Sequence, residues 1–211
     1  MLQRIKHQDN NPSRMSDAKE YVKAHEKQMD FLYGPFIKDM KKLDISGKCI
    51  EIGAGPALFT SMFAEQFPGV HITVTDISPV MISMAKQTIT KRGLQDRVDF
   101  CLLNVNDGDV LKRLGKFDLI YSIYSMHHWP DLERGVANLL DSISSGGLLY
   151  LGDLKRVWWL YYLPVNNNDV QQIRAAYRSI EVRKVLQKLG PVNYKIRTLF
   201  PYFMQSVIVS N

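Results

Sequence analysis

Cysteine is nearly absent: the 211-residue chain has two, Cys49 and Cys101. Both fall in apolar, strand-like stretches, which reads as buried thiols in a reducing compartment, and no Cys/His spacing suggests a zinc or other metal site. Nor does any stretch reach the roughly 18 consecutive apolar residues of a membrane span, and the amino-terminal end is too polar for a secretory signal. A soluble protein of the cytoplasm is therefore expected. Internal repeats and low-complexity segments are missing too. Acid is scarce at one end: residues 155–211 carry nine Lys or Arg against two Asp or Glu, whereas 49–154 have eight against twelve and 1–48 ten against seven. A basic end can meet nucleic acid, anionic lipid or an acidic substrate, yet a solvated helix face is the commoner cause and charge alone names no partner. The length suits one well-buried domain and is short for two.

What is present centres on Cys49-Ile50-Glu51-Ile52-Gly53-Ala54-Gly55-Pro56-Ala57. A strand-like run feeds directly into a Gly-x-Gly turn, and Phe59, Met62, Phe63 and Phe67 follow at helical spacing. Gly53 and Gly55 supply positive φ and the missing side chain that lets a ligand lie against the backbone, and the helix start behind them carries partial positive charge. By itself such a turn is often only a tight turn. Two acids sharpen it. Glu51 precedes the glycines, and Asp76 ends the next apolar run, Val70 to Thr75, where a carboxylate can accept both hydroxyls of a ribose. A dinucleotide is disfavoured, because the third glycine position is Leu58 and Glu51 would repel a pyrophosphate; a cationic ligand suits this loop.

The remaining elements alternate as an α/β chain. Residues 1–15 read as a polar arm, and two helices are expected from Ser16 to about Lys42, broken at Gly34-Pro35. After the elbow come a helix from Ala57 to Phe67, a strand ending at Asp76, a helix capped by Ser78-Pro79 and running to about Arg92, and a strand from Val98 to Leu103. A short helix from Asp107 to Leu114 leads to a fourth strand, Phe117 to Ser122, whose unbroken apolar character fits burial on both faces. Leu132 to Ser144 reads as a helix and Leu148 to Leu151 as the fifth strand. Beyond it lie a dense aromatic stretch, Val157 to Pro164, one basic amphipathic helix from Val170 to Leu189, and two alternating segments, Tyr194 to Phe200 and Phe203 to Val209, that read as an antiparallel pair.

Glu51-Ile-Gly-Ala-Gly, followed by Thr75-Asp76-Ile77-Ser78-Pro79 with Met81 and Ala85 behind, resembles the first two motifs of the class I S-adenosylmethionine-dependent methyltransferases. The resemblance runs from about Leu43 to Asp153. It implies a Rossmann-like fold: a mostly parallel seven-stranded sheet with helices on both faces and an antiparallel C-terminal strand pair. The methyltransferase domain would span 43–211, preceded by an arm and cap helices over 1–42. It further implies S-adenosylmethionine as cofactor, leaving as S-adenosylhomocysteine. Carried over residue by residue, Glu51, Gly53, Ala54 and Gly55 would surround its amino-acid part, and Asp76 would take the ribose hydroxyls. Ile77 and Met81 would lie against the adenine, Asn104, Val105 and Asn106 would meet its edge, and Ser122 and Ile123 would close the pocket. Asn104 stands where family members often have Asp, and an amide can still accept that hydrogen bond.

Methyl transfer needs no dedicated base, but a hydroxyl or acidic-carbon acceptor would use a neutral histidine. His127 or His128, in the loop after the fourth strand, stands at the right edge to serve, or packs against the cofactor. Tyr21, His25 and Tyr33 on the cap helices and Trp158 and Trp159 in the aromatic stretch are candidates for the acceptor pocket. A small-molecule acceptor is expected. An RNA or protein acceptor met by the basic C-terminal part is less favoured, since no Asn-Pro-Pro-Tyr-type motif follows the fourth strand. A catalytically silent cofactor-binding scaffold is the alternative of another class, and a homodimer stays open.

Overall fold

The computed structural model describes residues 3–5, 15–162, 164, 168–190 and 192–210, with only the backbone of Tyr21 among them. Helices α1 (Met15–Glu26) and α2 (Met29–Met40) precede β1 (Gly47–Ile52), α3 (Leu58–Gln66), β2 (Val70–Asp76), α4 (Pro79–Lys91) and β3 (Val98–Leu102). Next come α5 (Gly108–Leu114), β4 (Phe117–Ile123), α6 (Leu132–Leu140) and β5 (Ile143–Leu154). The chain then runs through α7 (Trp158–Tyr161), α8 (Asn168–Ala175), α9 (Ser179–Lys188), β6 (Asn193–Leu199) and β7 (Met204–Ser210). The strands form one seven-stranded sheet in the order β3-β2-β1-β4-β5-β7-β6. The first five strands are parallel, and β7 pairs antiparallel to both β5 and β6. The strand order reverses between β1 and β4, and in open α/β sheets ligands bind outside the carboxyl ends of the strands at that point.

The parallel strands are covered on both faces, so their side chains divide between two cores. Cys49 joins Phe36, Phe59, Phe63, Tyr121 and Tyr150 on the face covered by α2, α3 and α4. Ile50 and Ile52 join Leu111, Phe117, Val136, Leu139 and Leu186 on the face of α5, α6 and α9. This alternation along β1 turns Glu51 toward α3, where the Thr60 hydroxyl donates to its carboxylate.

Three element boundaries differ from the sequence reading. β5 begins at Ile143, inside the helix expected over Leu132–Ser144, and runs on to Leu154, past the expected Leu151, because Ile143 pairs with Phe117 of β4 and β7 pairs along the strand to Leu154. The helical break falls at Lys27-Gln28, with Gly34 and Pro35 inside α2. Pro35 has no N–H to give the Phe31 carbonyl, and the Tyr124 hydroxyl, just after β4, donates to the neighbouring Leu32 carbonyl at 2.8 Å. The basic helix expected over Val170–Leu189 is two, α8 and α9, parted at Ala176–Arg178. Arg156 donates to the Ala176 carbonyl at 2.7 Å and to Glu181 at 2.6 Å, Gln205 donates to the Tyr177 carbonyl at 2.7 Å, and Glu181 turns back to accept the Arg178 N–H at 2.8 Å. Those bonds replace the helical ladder at the break.

A buried carboxylate ties α2 to the antiparallel end of the sheet. Asp39, 1 % exposed, accepts from Arg197, from Ser206 at 2.7 Å, from Tyr150 at 3.3 Å and from Lys42 at 3.4 Å. Among the described residues no helix is long and apolar enough to cross a membrane.

Candidate active site

The carboxyl ends of β1, β2, β3 and β4 open on one cavity of about 740 Å³. Its floor is the elbow. Gly53 and Gly55 have φ of 68° and 56°, the left-handed region, and even Ala57 sits at 58°. A Cβ on Gly53 would lie 2.0 Å from the Ser125 Oγ, so only glycine fits there; one on Gly55 would meet nothing within 4 Å. That open backbone is a cradle for a ligand.

Two acids flank it. Asp76, buried at the end of β2, accepts the Gly55 N–H and the Ser78 N–H, each at 2.8 Å, so its carboxylate is fixed to the elbow on one side and to the start of α4 on the other. Burial pushes its carboxyl up, against the pull of these N–H donors. Glu51 is 1 % exposed and pushed up to about 8, chiefly by burial and further by the charge of Asp76, although the Thr60 hydroxyl pulls the other way. A site that holds a neutral Glu51 when empty gains most from a cation that lets it ionise.

Of the residues expected around the cofactor, Glu51, Gly53, Ala54, Gly55, Asp76, Ile77, Met81, Asn104, Val105 and Ile123 all line this cavity. Two do not. Ser122 is buried and donates to the Ile52 carbonyl at 2.8 Å, and Asn106 donates to the Asp131 carbonyl at 2.8 Å. Each braces the loop that carries a lining neighbour. Asn104 uses its side-chain oxygen to accept the Asn106 N–H at 3.0 Å.

The two histidines separate. His128 lines the cavity, whereas His127 is buried outside its lining. Asp153, at the end of β5, holds the His127 Nδ1 at 2.7 Å and accepts its backbone N–H at 2.8 Å, and the two imidazoles pack at a tilt of 41° with centroids 4.0 Å apart. On the roof His25 and Tyr33 line the cavity, the side chain of Tyr21 lies outside the described residues, and Trp158 and Trp159 lie outside the lining at 70 % and 43 % exposure.

Several lining residues were not expected as site residues from the sequence: Phe31, Leu32, Phe59, Tyr124, Ser125, Trp129, Phe203 and Met204. Tyr124, with φ of 54°, turns its ring against Phe36 and Tyr33, and the Trp129 indole N–H donates to Ser125 at 3.1 Å. Their position after the fourth strand was the available signal. No local pattern marks Phe203 and Met204, which reach the site through antiparallel pairing.

The open cradle at Gly55, the ribose-competent acid Asp76 and the buried acid Glu51 beside it fit S-adenosylmethionine, a cation with an amino-acid end and an adenosine end. Residues 50–149 match the family model of a methyltransferase domain. A malonyl-[acyl-carrier protein] O-methyltransferase of Acetivibrio thermocellus is 28% identical over 130 residues, which are 61% of this chain and 42% of the relative. The chain spans less than half the length of the curated relatives it matches. Among solved structures, a SAM-dependent methyltransferase from Aquifex aeolicus superposes with a TM-score of 0.71 at 15% identity, over 93% of this chain and 98% of the other. The plantazolicin methyltransferase BpumL, solved with a triazolic desmethylPZN analogue and SAH, gives 0.72 at 15% identity over 95% and 92%. The sheet order, the elbow and this match agree: residues 50–149 are similar to a methyltransferase domain, set on the fold of S-adenosylmethionine-dependent methyltransferases.

Proposed function

We propose that the protein transfers the methyl group of S-adenosylmethionine to a small molecule with an apolar body. The observation that carries this is one cavity with two unlike halves. The acidic glycine elbow forms one wall, and Phe31, Leu32, Tyr33, Tyr124, Leu154, Ile173 and Met204 form an apolar roof over it. A ubiquinone biosynthesis O-methyltransferase of Xylella fastidiosa, 26% identical over 126 residues, supports a small-molecule acceptor.

The cofactor supplies an activated methyl carbon, so the protein's task is to place the acceptor in line and keep water away. Gly53, Ala54 and Gly55 bring the backbone close to the amino-acid end, and Glu51 balances positive charge there. Asp76 takes the ribose hydroxyls, while Ile77, Met81, Asn104 and Val105 hold the adenine. Tyr33, His25 and the aromatic lining fix the acceptor. Where the acceptor is a hydroxyl, His128 takes its proton as the new bond to carbon forms and the bond to sulfur breaks. Asp153 holds His127, whose ring packs against His128 and positions it.

Calorimetric titration with S-adenosylmethionine and S-adenosylhomocysteine, then a product screen over phenols, thiols, amines and carboxylic acids, tests the reading. Binding of both cofactor forms with turnover on one such class is expected. Absence of binding overturns it, and binding with turnover only on RNA or protein overturns the small-molecule assignment.

A further inference from the structure

Six large aromatic side chains are more than 40 % exposed among the described residues, and five of them belong to two short segments: Trp158, Trp159 and Tyr162 around α7, and Phe200 and Tyr202 in the turn between β6 and β7. The sixth, Phe31, lines the cavity. The two segments are neighbours. The Lys155 N–H donates to the Phe203 carbonyl at 2.7 Å, the Lys155 ammonium to Thr198 at 2.8 Å, and the Trp159 ring meets Phe203 with centroids 6.4 Å apart. Phe203, Met204 and Leu154 in turn line the cavity, so the exposed aromatic face is continuous with its apolar wall.

Charge completes the pattern. Between Asp153 and Asp169, and again after Glu181, the sequence has no acidic side chain, while Lys155, Arg156, Lys195 and Arg197 fall in those stretches. Arg156 is paired with Glu181 and Arg197 with Asp39; Lys155 and Lys195 have no acid partner among the described residues. Exposed Trp and Tyr, with an apolar body and a polar tip, are the side chains that settle at a bilayer headgroup region, and Lys155, which joins the two segments, with Lys195 further along β6, favours anionic lipid. Two-fold pairing of this face with a second copy would set like charges against each other with no carboxylate to offset them. We propose that the face formed by Trp158, Trp159, Tyr162, Phe200 and Tyr202 docks on an anionic lipid bilayer, which opens the cavity toward membrane-dissolved acceptors.

The test uses the full chain and needs no turnover. Sedimentation with vesicles of equimolar phosphatidylcholine and phosphatidylglycerol should carry the protein down, with less bound as salt rises. The chain has three tryptophans and Trp129 is buried, so a blue shift in emission on vesicle addition reports on Trp158 and Trp159. The double variants Tyr162→Ser/Phe200→Ser and Lys155→Glu/Lys195→Glu should each lose binding by about tenfold or more with an unchanged melting curve. A protein that stays in solution with these vesicles overturns the proposal. So does vesicle binding that both variants retain, or a concentration-dependent dimer in which the same variants abolish assembly.

Discussion

Glu51 and Asp76 are both acids in one cavity, yet they answer different questions. Asp76 already has two backbone donors, so its carboxylate is held in place before a ligand arrives. Asp76→Ala should weaken S-adenosylmethionine binding by about 2 kcal/mol or more, read as a dissociation constant, because a fixed charged acceptor for two hydroxyls is lost. Glu51 is the pH-sensitive member. Its carboxyl has an ordinary value of 4.5 and is raised to about 8 in the fold, so the empty protein holds a proton there that the unfolded chain releases. Stability of the empty protein should therefore fall as pH rises from the ordinary carboxylate range toward about 8, while affinity for the cationic cofactor rises over the same interval. Calorimetry in buffers of different ionisation enthalpy should show a proton leaving on binding at neutral pH, and Glu51→Gln should remove both slopes. A flat binding profile in the wild type would count against ionisation of Glu51 by the ligand.

Elements respond to their glycines in opposite ways. Gly53→Ala places a Cβ 2.0 Å from Ser125 Oγ in a left-handed position, so both the melting temperature and cofactor binding should drop. Gly55→Ala meets only open space, so the expected stability loss is about 1 kcal/mol from its positive φ while binding suffers more, because the methyl fills the cradle. At the far edge, burial would raise Asp39, but Ser206, Arg197 and Lys42 outweigh it and hold the carboxyl below 3.8. Its contribution is present above that ordinary value and lost as pH falls through the lowered one; Asp39→Ala should cost about 3 kcal/mol in a denaturant melt. The strand, turn and helix from Cys49 to Phe67 were legible because propensity, glycine chemistry and tertiary packing agree there. The break at Ala176–Arg178 was not, since Arg156 and Gln205, distant in sequence, decide it.

Across the whole molecule the cavity gathers residues from Ala24 to Met204. Its floor could be read residue by residue: ten of the twelve expected cofactor contacts line it, and Ser122 and Asn106 sit one layer behind. The histidine pair was legible as a pair, but which ring faces inward depends on Asp153 in a different strand. His128→Ala should lower kcat with cofactor affinity retained, and His127→Ala should lower both kcat and the melting temperature, because it empties a buried, bridged position. Equal, purely kinetic effects of the two would argue against that division. The roof has a property of another kind. Six of its lining residues fall within Ala24–Tyr33, a single short length of chain, whereas the floor is spread over four strand ends. On the proposed function, a change in that one length would alter which acceptors fit without disturbing the cofactor loops. Selection could then retune the acceptor while the cofactor-holding half is inherited intact.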